Sequence, residues 1–358
     1  MAQITLSNLA HSYGSNGLHE EDFALKAMNH VWQDGGSYAL LGPSGCGKTT
    51  LLNIISGLVT PSQGRVLFDD IDVTHVPTEK RNIAQVFQFP VVYDTLTVRE
   101  NLAFPLKNRG LTASAIDARV VLIAEMIGLM ATLDTQARGL TPDAKQKISL
   151  GRGLVRESVN AILFDEPLTV IDPLLKWELR AQLKALHRQF GHTMIYVTHD
   201  QTEALTFAEQ VVMLHEGRVV QMGTPEALFE TPEHTFVGHF IGSPGMNLLD
   251  AEIADNHALI AGYSVPLGAR YATLAGRTQI GIRPEYIEFS ADKGLPVQIQ
   301  RIDDVGHRRI VRAEAAGCAI AVSLAEGTAL DATMTHVQFV PEKINVYADD
   351  WRVQGKVV

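Results

Sequence analysis

The chain has 358 residues, 46% of them hydrophobic and 20% charged, with a formal net charge of −10. That is enough apolar material for a sizeable core in more than one domain, and the acidic balance argues against nucleic acid as a general partner. Two isolated thiols, Cys46 and Cys318, suggest a reducing compartment rather than a disulfide framework.

The opening residues, MAQITLSNLAHSYG, lack a basic stretch followed by an apolar core, so no secretory leader is expected. No apolar run reaches the roughly 18 residues that predict a membrane-crossing helix. Residues 3–9, QITLSNL, alternate as a strand does. Residues 36–41, GSYALL, form a short apolar run that meets a glycine-rich turn. The turn GPSGCGKT (42–49) is followed by the helical run TTLLNIISGL, with Gly57 near its end. This is G-x-x-x-x-G-K-[ST] between a strand and a helix. Gly42, Gly45 and Gly47 let the backbone bend so that several N–H groups meet one phosphate. Lys48 can reach the β- and γ-phosphates of a nucleotide, and the Thr49 hydroxyl can bind Mg²⁺. Pro43, Ser44, Cys46 and Thr50 complete the expected cradle.

Residues 64–68, GRVLF, predict another strand. From about Asn101 to Arg156 apolar residues recur at spacings of three and four, so a helical subdomain is expected over about 89–156. Within it, LTPDAKQKISLGRG (140–153) opens like a helix. Thr141 suits the N-cap, Pro142 the first position and Asp143 the positive end of the dipole. The same start suits an anion poorly, because proline has no N–H to give.

The apolar strand AILF (161–164) runs into Asp165 and Glu166. Beside a phosphate cradle, Asp165 is expected to hold Mg²⁺, directly or through water, and Glu166 to orient or deprotonate the attacking water. Solvated acids at a strand end are the plainer alternative. The helix LLKWELRAQLKALHRQF and the strand TMIYVT (193–198) follow. Strands alternating with helices predict an α/β fold with a largely parallel sheet. Around GSPGMN (242–247) the pattern changes to short strand-like runs, LLDAEIA, TQIGI, LPVQIQRI, RRIVRAEA, CAIAVSL and KINVYAD. Domains are therefore expected at 1–242 and 243–358, the second an all-β unit built as a small barrel.

GPSGCGKTTLLNIISGL, QVFQ, ILFDEP, YVTHDQTEA and FIGSPGMN, in this order, resemble the ATP-binding subunit of an ABC importer of the maltose-type sugar and polyol branch. The resemblance covers essentially the whole chain. IGIRPEYIEF (280–289) is similar to that branch's C-terminal OB-like (TOBE-type) regulatory domain. It implies a P-loop ATPase that uses ATP and Mg²⁺ at the cytoplasmic face of the inner membrane. Its implied partners are two transmembrane permease subunits, a second ATPase and, indirectly, an extracytoplasmic solute-binding protein, with no nucleic acid.

Residue by residue, the resemblance gives Tyr13 the place of the ring that stacks on adenine and Gln88 that of a Mg²⁺ contact. Asp172 takes the place of an aspartate at the dimer interface, and His199 that of the switch histidine at the γ-phosphate. Lys48, Glu166 and His199 are thus the implied catalytic set. The plainer alternatives are a surface aromatic for Tyr13 and a strand-end histidine for His199. The cluster Phe87, Phe89 and Pro90 reads either as core or as a docking surface.

Where the family carries Leu-Ser-Gly-Gly-Gln, this chain has Leu140, Thr141, Pro142, Asp143 and Ala144, a degenerate signature. Lys145 and Lys147 are expected to offset part of the acid's repulsion. AQVFQFPVVYDTLTVRENLAFPL and KQKISLGRGLV further resemble one of two unlike ATPase subunits of the glycerol ABC importer. The resemblance therefore implies glycerol or polyol uptake by a heterodimer. The alternatives are a homodimeric sugar-importer ATPase and an ATP-dependent regulatory module.

Overall fold

Five-residue runs with no polar face set the frame of the first half of the molecule. In the computed structural model, which describes residues 2–14, 23–328 and 334–357, two compact units appear, Met1–Pro225 and Glu226–Val358.

In the first unit a six-stranded sheet runs in the order Arg218–Gly223, Gln210–His215, Ser37–Leu41, Met194–Thr198, Ala161–Asp165, Ile83–Val86. All neighbours are parallel except the edge hairpin of the first two strands. Ser37–Leu41 and Met194–Thr198 are buried at every position, as a sheet covered on both faces requires. A four-stranded antiparallel sheet, ordered Phe23–Trp32, Ile4–Ser12, Gln63–Phe68, Ile71–Asp72, supplies a second layer. One core cluster joins Leu6 and Val66 of this sheet, Leu40, Leu163 and Val197 of the other, and Leu52 and Ile55 of the helix Lys48–Ser56.

That helix ends at Gly57 (φ 82°), whose N–H bonds Ile54 O. Behind it lies Arg81, 2% exposed. Its guanidinium donates to Ile54 O (2.8 Å), Ile55 O (2.9 Å), Val76 O (2.7 Å) and Thr74 O (2.9 Å), tying the last turn of the helix to the chain at 74–76. A Cβ on Gly57 would lie 2.5 Å from Arg81 Nε, so glycine is required twice over.

The helical subdomain contains Val98–Lys107, Ala113–Met126 and Pro142–Leu154. Thr97 and Glu100 form a capping box at the first of these. Buried Arg119 closes the C-terminus of the third by donating to Leu154 O and Val155 O, each at 3.0 Å.

The second unit is strand-rich downstream of Asn247, with sheets of four, three and five strands. Its core joins Ile280, Ile282, Leu295, Val311, Val322, Val337 and Val346. Sequence places the domain change at 242/243; the compact unit begins at Glu226. Arg283 accounts for the earlier start. It is buried against the ring of Phe229 (4.3 Å to the centroid) and donates to Phe229 O (3.0 Å), Gly238 O (2.7 Å) and Ile241 O, which ties the two short helices of 225–240 to the strands. Burial pulls its pKa down to about 10.

Candidate functional site

Two helix starts in the first unit are built in opposite ways. The helix Lys48–Ser56 begins at Gly47, whose φ of 101° no L side chain adopts comfortably. No side chain caps it and no acid occupies its first turn, so its N–H groups are left for an anion. Gly47 and Gly42 are also sterically required. Added Cβ atoms would lie 2.6 Å from Ala24 O and 2.2 Å from Leu214 O. Gly45 (φ 82°) and Ser44 line the exposed side of the loop, while Pro43 is half-buried and Cys46 buried within it. The Lys48 ammonium is folded over the loop, donating to Gly42 O (2.9 Å) and Pro43 O (2.8 Å).

The helix Pro142–Leu154 begins instead with the Thr141 hydroxyl accepting from Ala144 N (3.3 Å). Pro142 at the first position has no N–H, and Asp143 stands in the first turn. Lys145 N is bonded back to Thr141 O, so Asp143 N–H is the donor this turn has left. Of the two lysines expected to soften Asp143, Lys145 is committed elsewhere, its ammonium 2.8 Å from Asp94 Oδ1.

Around the first helix start the expected residues converge. Thr49 Oγ1 donates to Asp165 Oδ1 (3.1 Å). Burial raises the Asp165 pKa, the Thr49 hydrogen bond lowers it, Glu166 raises it and Lys48 lowers it. A half-sunk carboxylate beside a hydroxyl is a hard-oxygen pair, the chemistry Mg²⁺ prefers when phosphate oxygens complete its shell. Among the described residues no group of three or more His, Cys, Asp or Glu forms a protein-only metal cage. The donor set thus fits a cation shared with a nucleotide.

Glu166 follows at φ 45°, a backbone conformation held by its N–H to Val197 O (2.9 Å) and by Thr169 N to its own O (3.3 Å). Its Oε1 lies 3.0 Å from His199 Nδ1. Tyr13 is 66% exposed, with its hydroxyl on Thr50 Oγ1 (3.1 Å) and its ring edge-on to His11 (4.6 Å). A bare ring thus stands beside the phosphate helix. Gln88 is half-buried between the exposed rings of Phe87 and Phe89. Asp172 caps the helix Pro173–Phe190, accepting from Leu174 N (2.9 Å).

Sequence reasoning missed Gln146. It is fully buried, and its amide donates to Pro167 O (2.7 Å) and Phe87 O (3.2 Å). One side chain therefore ties the altered helix to the residues next to Glu166 and Gln88. The available signal was position. Gln146 shares a helix face with Leu150 and Gly153, at spacings of four and seven.

Residues 25–169 match the family model described as ABC transporter. The chain is 39% identical, over 87% of its own length and 87% of the relative's, to the sulfoquinovosyl glycerol transport ATP-binding protein SmoE of Agrobacterium fabrum. The chain belongs to the ATP-binding subunits of ABC importers. This ATP-binding subunit is also 35% identical, over 98% of its length and 99% of the relative's, to the sn-glycerol-3-phosphate import ATP-binding protein UgpC of Jannaschia sp.. Among solved structures, CbiO1 of Clostridium perfringens, part of the transporter complex CbiONQ, superposes with a TM-score of 0.58 at 28% identity, covering 64% of this subunit and 90% of that chain. The ATP-binding cassette MJ0796, bound to ADP and phosphate, matches with a TM-score of 0.55 at 27% identity, covering 62% and 98%. The subunit is an ATPase that couples hydrolysis to transport. Among the described residues no helix is long and apolar enough to cross a membrane.

Proposed function

We propose that this ATPase powers uptake of glycerol, or of a closely related polyol or sugar, as one of two unlike ATP-binding subunits docked peripherally on a pair of membrane permeases. The names of the relatives support the solute class, since both sn-glycerol-3-phosphate and sulfoquinovosyl glycerol carry a glycerol unit. Solute reaches the permeases through an extracytoplasmic binding protein, and the ATPase sits on their cytoplasmic face.

The chemistry is in-line attack of water on the γ-phosphate. Glu166 takes the water's proton, aided by its left-handed backbone and its contact with His199. Lys48 leaves the loop carbonyls for the β- and γ-phosphate oxygens, and His199 faces the γ-phosphate. Tyr13 stacks on the adenine, and Gln88, in the Phe87–Phe89 segment, would be a further ligand of the metal. Thr49 and Asp165 would hold Mg²⁺, which would supply charge neutralisation on the phosphate oxygens.

The contrast between the two helix starts carries the pairing. An ATP between two such subunits needs a cradle from one and a γ-phosphate clamp from the other. This chain combines a complete cradle with a clamp whose first turn offers one N–H and a carboxylate. Two copies of it make two poor sites; with a better-clamped partner, one good site results. In the purified transporter, mass measurement should show two different ATPase chains. Glu166→Gln in this chain should stop turnover, while the matching change in the partner should cost far less. A complex holding two copies of this chain and transporting at full rate would refute the pairing.

A further inference from the structure

A buried carboxylate close to the site has no part in the chemistry above. Glu203, 3% exposed, lies in the helix Gln201–Phe207, just after the loop that carries His199. Its Oε2 accepts from Tyr196 Oη (3.0 Å) and Thr198 Oγ1 (2.9 Å). Thr198 Oγ1 in turn accepts from Asp200 N (3.0 Å). Both neighbours of His199 are thereby fastened to one buried group. Asp200 is fixed a second time, because its own carboxylate accepts from Thr202 N (2.7 Å) and Glu203 N (3.3 Å).

The other oxygen faces a different element. Glu203 Oε1 lies 3.4 Å from Lys176 Nζ, which is 23% exposed. Lys176 sits one turn into the helix capped by Asp172, and its N–H bonds Asp172 O (3.0 Å). The carboxylate therefore joins the loop of His199 to the start of the helix that Asp172 opens. A buried charge with its hydrogen bonds satisfied holds its neighbours in one arrangement more firmly than neutral packing does.

We infer that Glu203 is a positioning residue for His199. Through Thr198 and the Asp200 amide it fixes the backbone on both sides of the imidazole, so that Nδ1 meets Glu166 and the far ring edge is turned toward the γ-phosphate. Through Lys176 it makes that aim depend on the helix beginning at Asp172. This rests on the role given to His199 above.

The test uses the full chain in its assembled transporter. Thr198→Val is nearly isosteric and removes both hydroxyl bonds. Glu203→Leu removes the whole anchor, and Glu203→Gln keeps an acceptor for Tyr196 and Thr198. Thr198→Val and Glu203→Leu should lower kcat by about 10- to 100-fold, the scale of a misplaced catalytic group. KM for ATP should stay within about twofold, and the ¹⁵N ring signals of His199 should move. Glu203→Gln should restore most of the rate. Glu203→Leu is the variant exposed to misfolding, and Thr198→Val carries the test if it fails. His199→Ala separates the two levels of the argument. If it leaves turnover intact, the reading of the site falls, and this inference with it. If it stops turnover while Thr198→Val keeps the wild-type rate and His199 signals, this inference alone is overturned. A lowered melting temperature in Thr198→Val with unmoved His199 signals overturns it too.

Discussion

Under the proposed pairing the helix Pro142–Leu154 is a weak phosphate clamp, and its repair has a calculable size. Replacing Pro142 and Asp143 with glycine restores the missing N–H and removes the acid. Asp143 is half-buried; the proposed clamp would bring its carboxylate to contact range of a phosphate oxygen in the opposing site, on the order of 4 Å. A unit charge at that range costs about 1 kcal/mol in water and about 4 kcal/mol at an effective dielectric of about 20. The substitutions give back about 0.3–1 kcal/mol of the helix's own dipole stabilisation, and glycines add some backbone entropy. Those local costs fall on monomer and dimer alike and cancel in association. A self-paired dimer has two clamps, so the gain is at least about 2 kcal/mol, about 30-fold in the dimer dissociation constant. The assay is sedimentation of the isolated subunit with MgATP in a Glu166→Gln background, which prevents hydrolysis from dissolving the dimer. Glu166→Gln alone should sediment as monomer at concentrations where the variant carrying both glycines is dimeric. Equal dimerisation of the two proteins would refute the charge argument and the unequal pairing that rests on it.

Gln146→Leu should leave ATP binding intact and lower kcat about tenfold, because it cuts the tie to Pro167 beside Glu166; stopped-flow nucleotide binding set against steady-state turnover checks this. Arg81→Leu should destabilise the first unit by about 3 kcal/mol or more, seen as a lower denaturation midpoint, since it strips the carbonyls of Ile54, Ile55, Thr74 and Val76 of the buried guanidinium that donates to them. His30, buried against Trp32, has its pKa lowered by burial from 6.5 to about 4. The unfolded chain therefore binds the extra proton first, and the stability tied to neutral His30 is complete above about pH 6.5 and falls as pH drops toward 4. Between pH 7.5 and 5 that loss is about 2 kcal/mol, and His30→Gln should abolish this part of the pH dependence in urea melts.

Which elements the sequence revealed follows from what their side chains meet. The strands at 37–41, 161–165 and 194–198 are covered on both faces, so they read as unbroken apolar runs. Phe23–Trp32 escaped notice because it carries Lys26, Asn29 and His30 among its apolar positions. The hairpin Gln210–Gly223 was hidden by its turn. Glu216 (φ 47°) and Gly217 (φ 75°) form a two-residue turn with both angles positive, a geometry usually announced by Asn-Gly or Asp-Gly. Ala261–Gly262 and Ala316–Gly317 repeat the device in the second unit, where an alanine gives no warning of a left-handed residue. The strand Tyr263–Tyr271, with Pro266 and Gly268 inside it, was missed for a related reason. At the site, motif residues were legible because phosphate chemistry fixes their spacing. Gln146 and Arg81 were not, since each serves carbonyls that only the fold brings near.

The guanidinium of Arg81 has a meaning for the nucleotide as well as for the core. The phosphate helix is nine residues long, so a buried cation stands about 14 Å behind the loop, across protein rather than water. It quenches the negative pole of that helix and leaves the positive pole unopposed at the end facing the polyphosphate. Part of the attraction felt by an arriving nucleotide is thus generated from the rear of the element, by a residue no nucleotide ever meets.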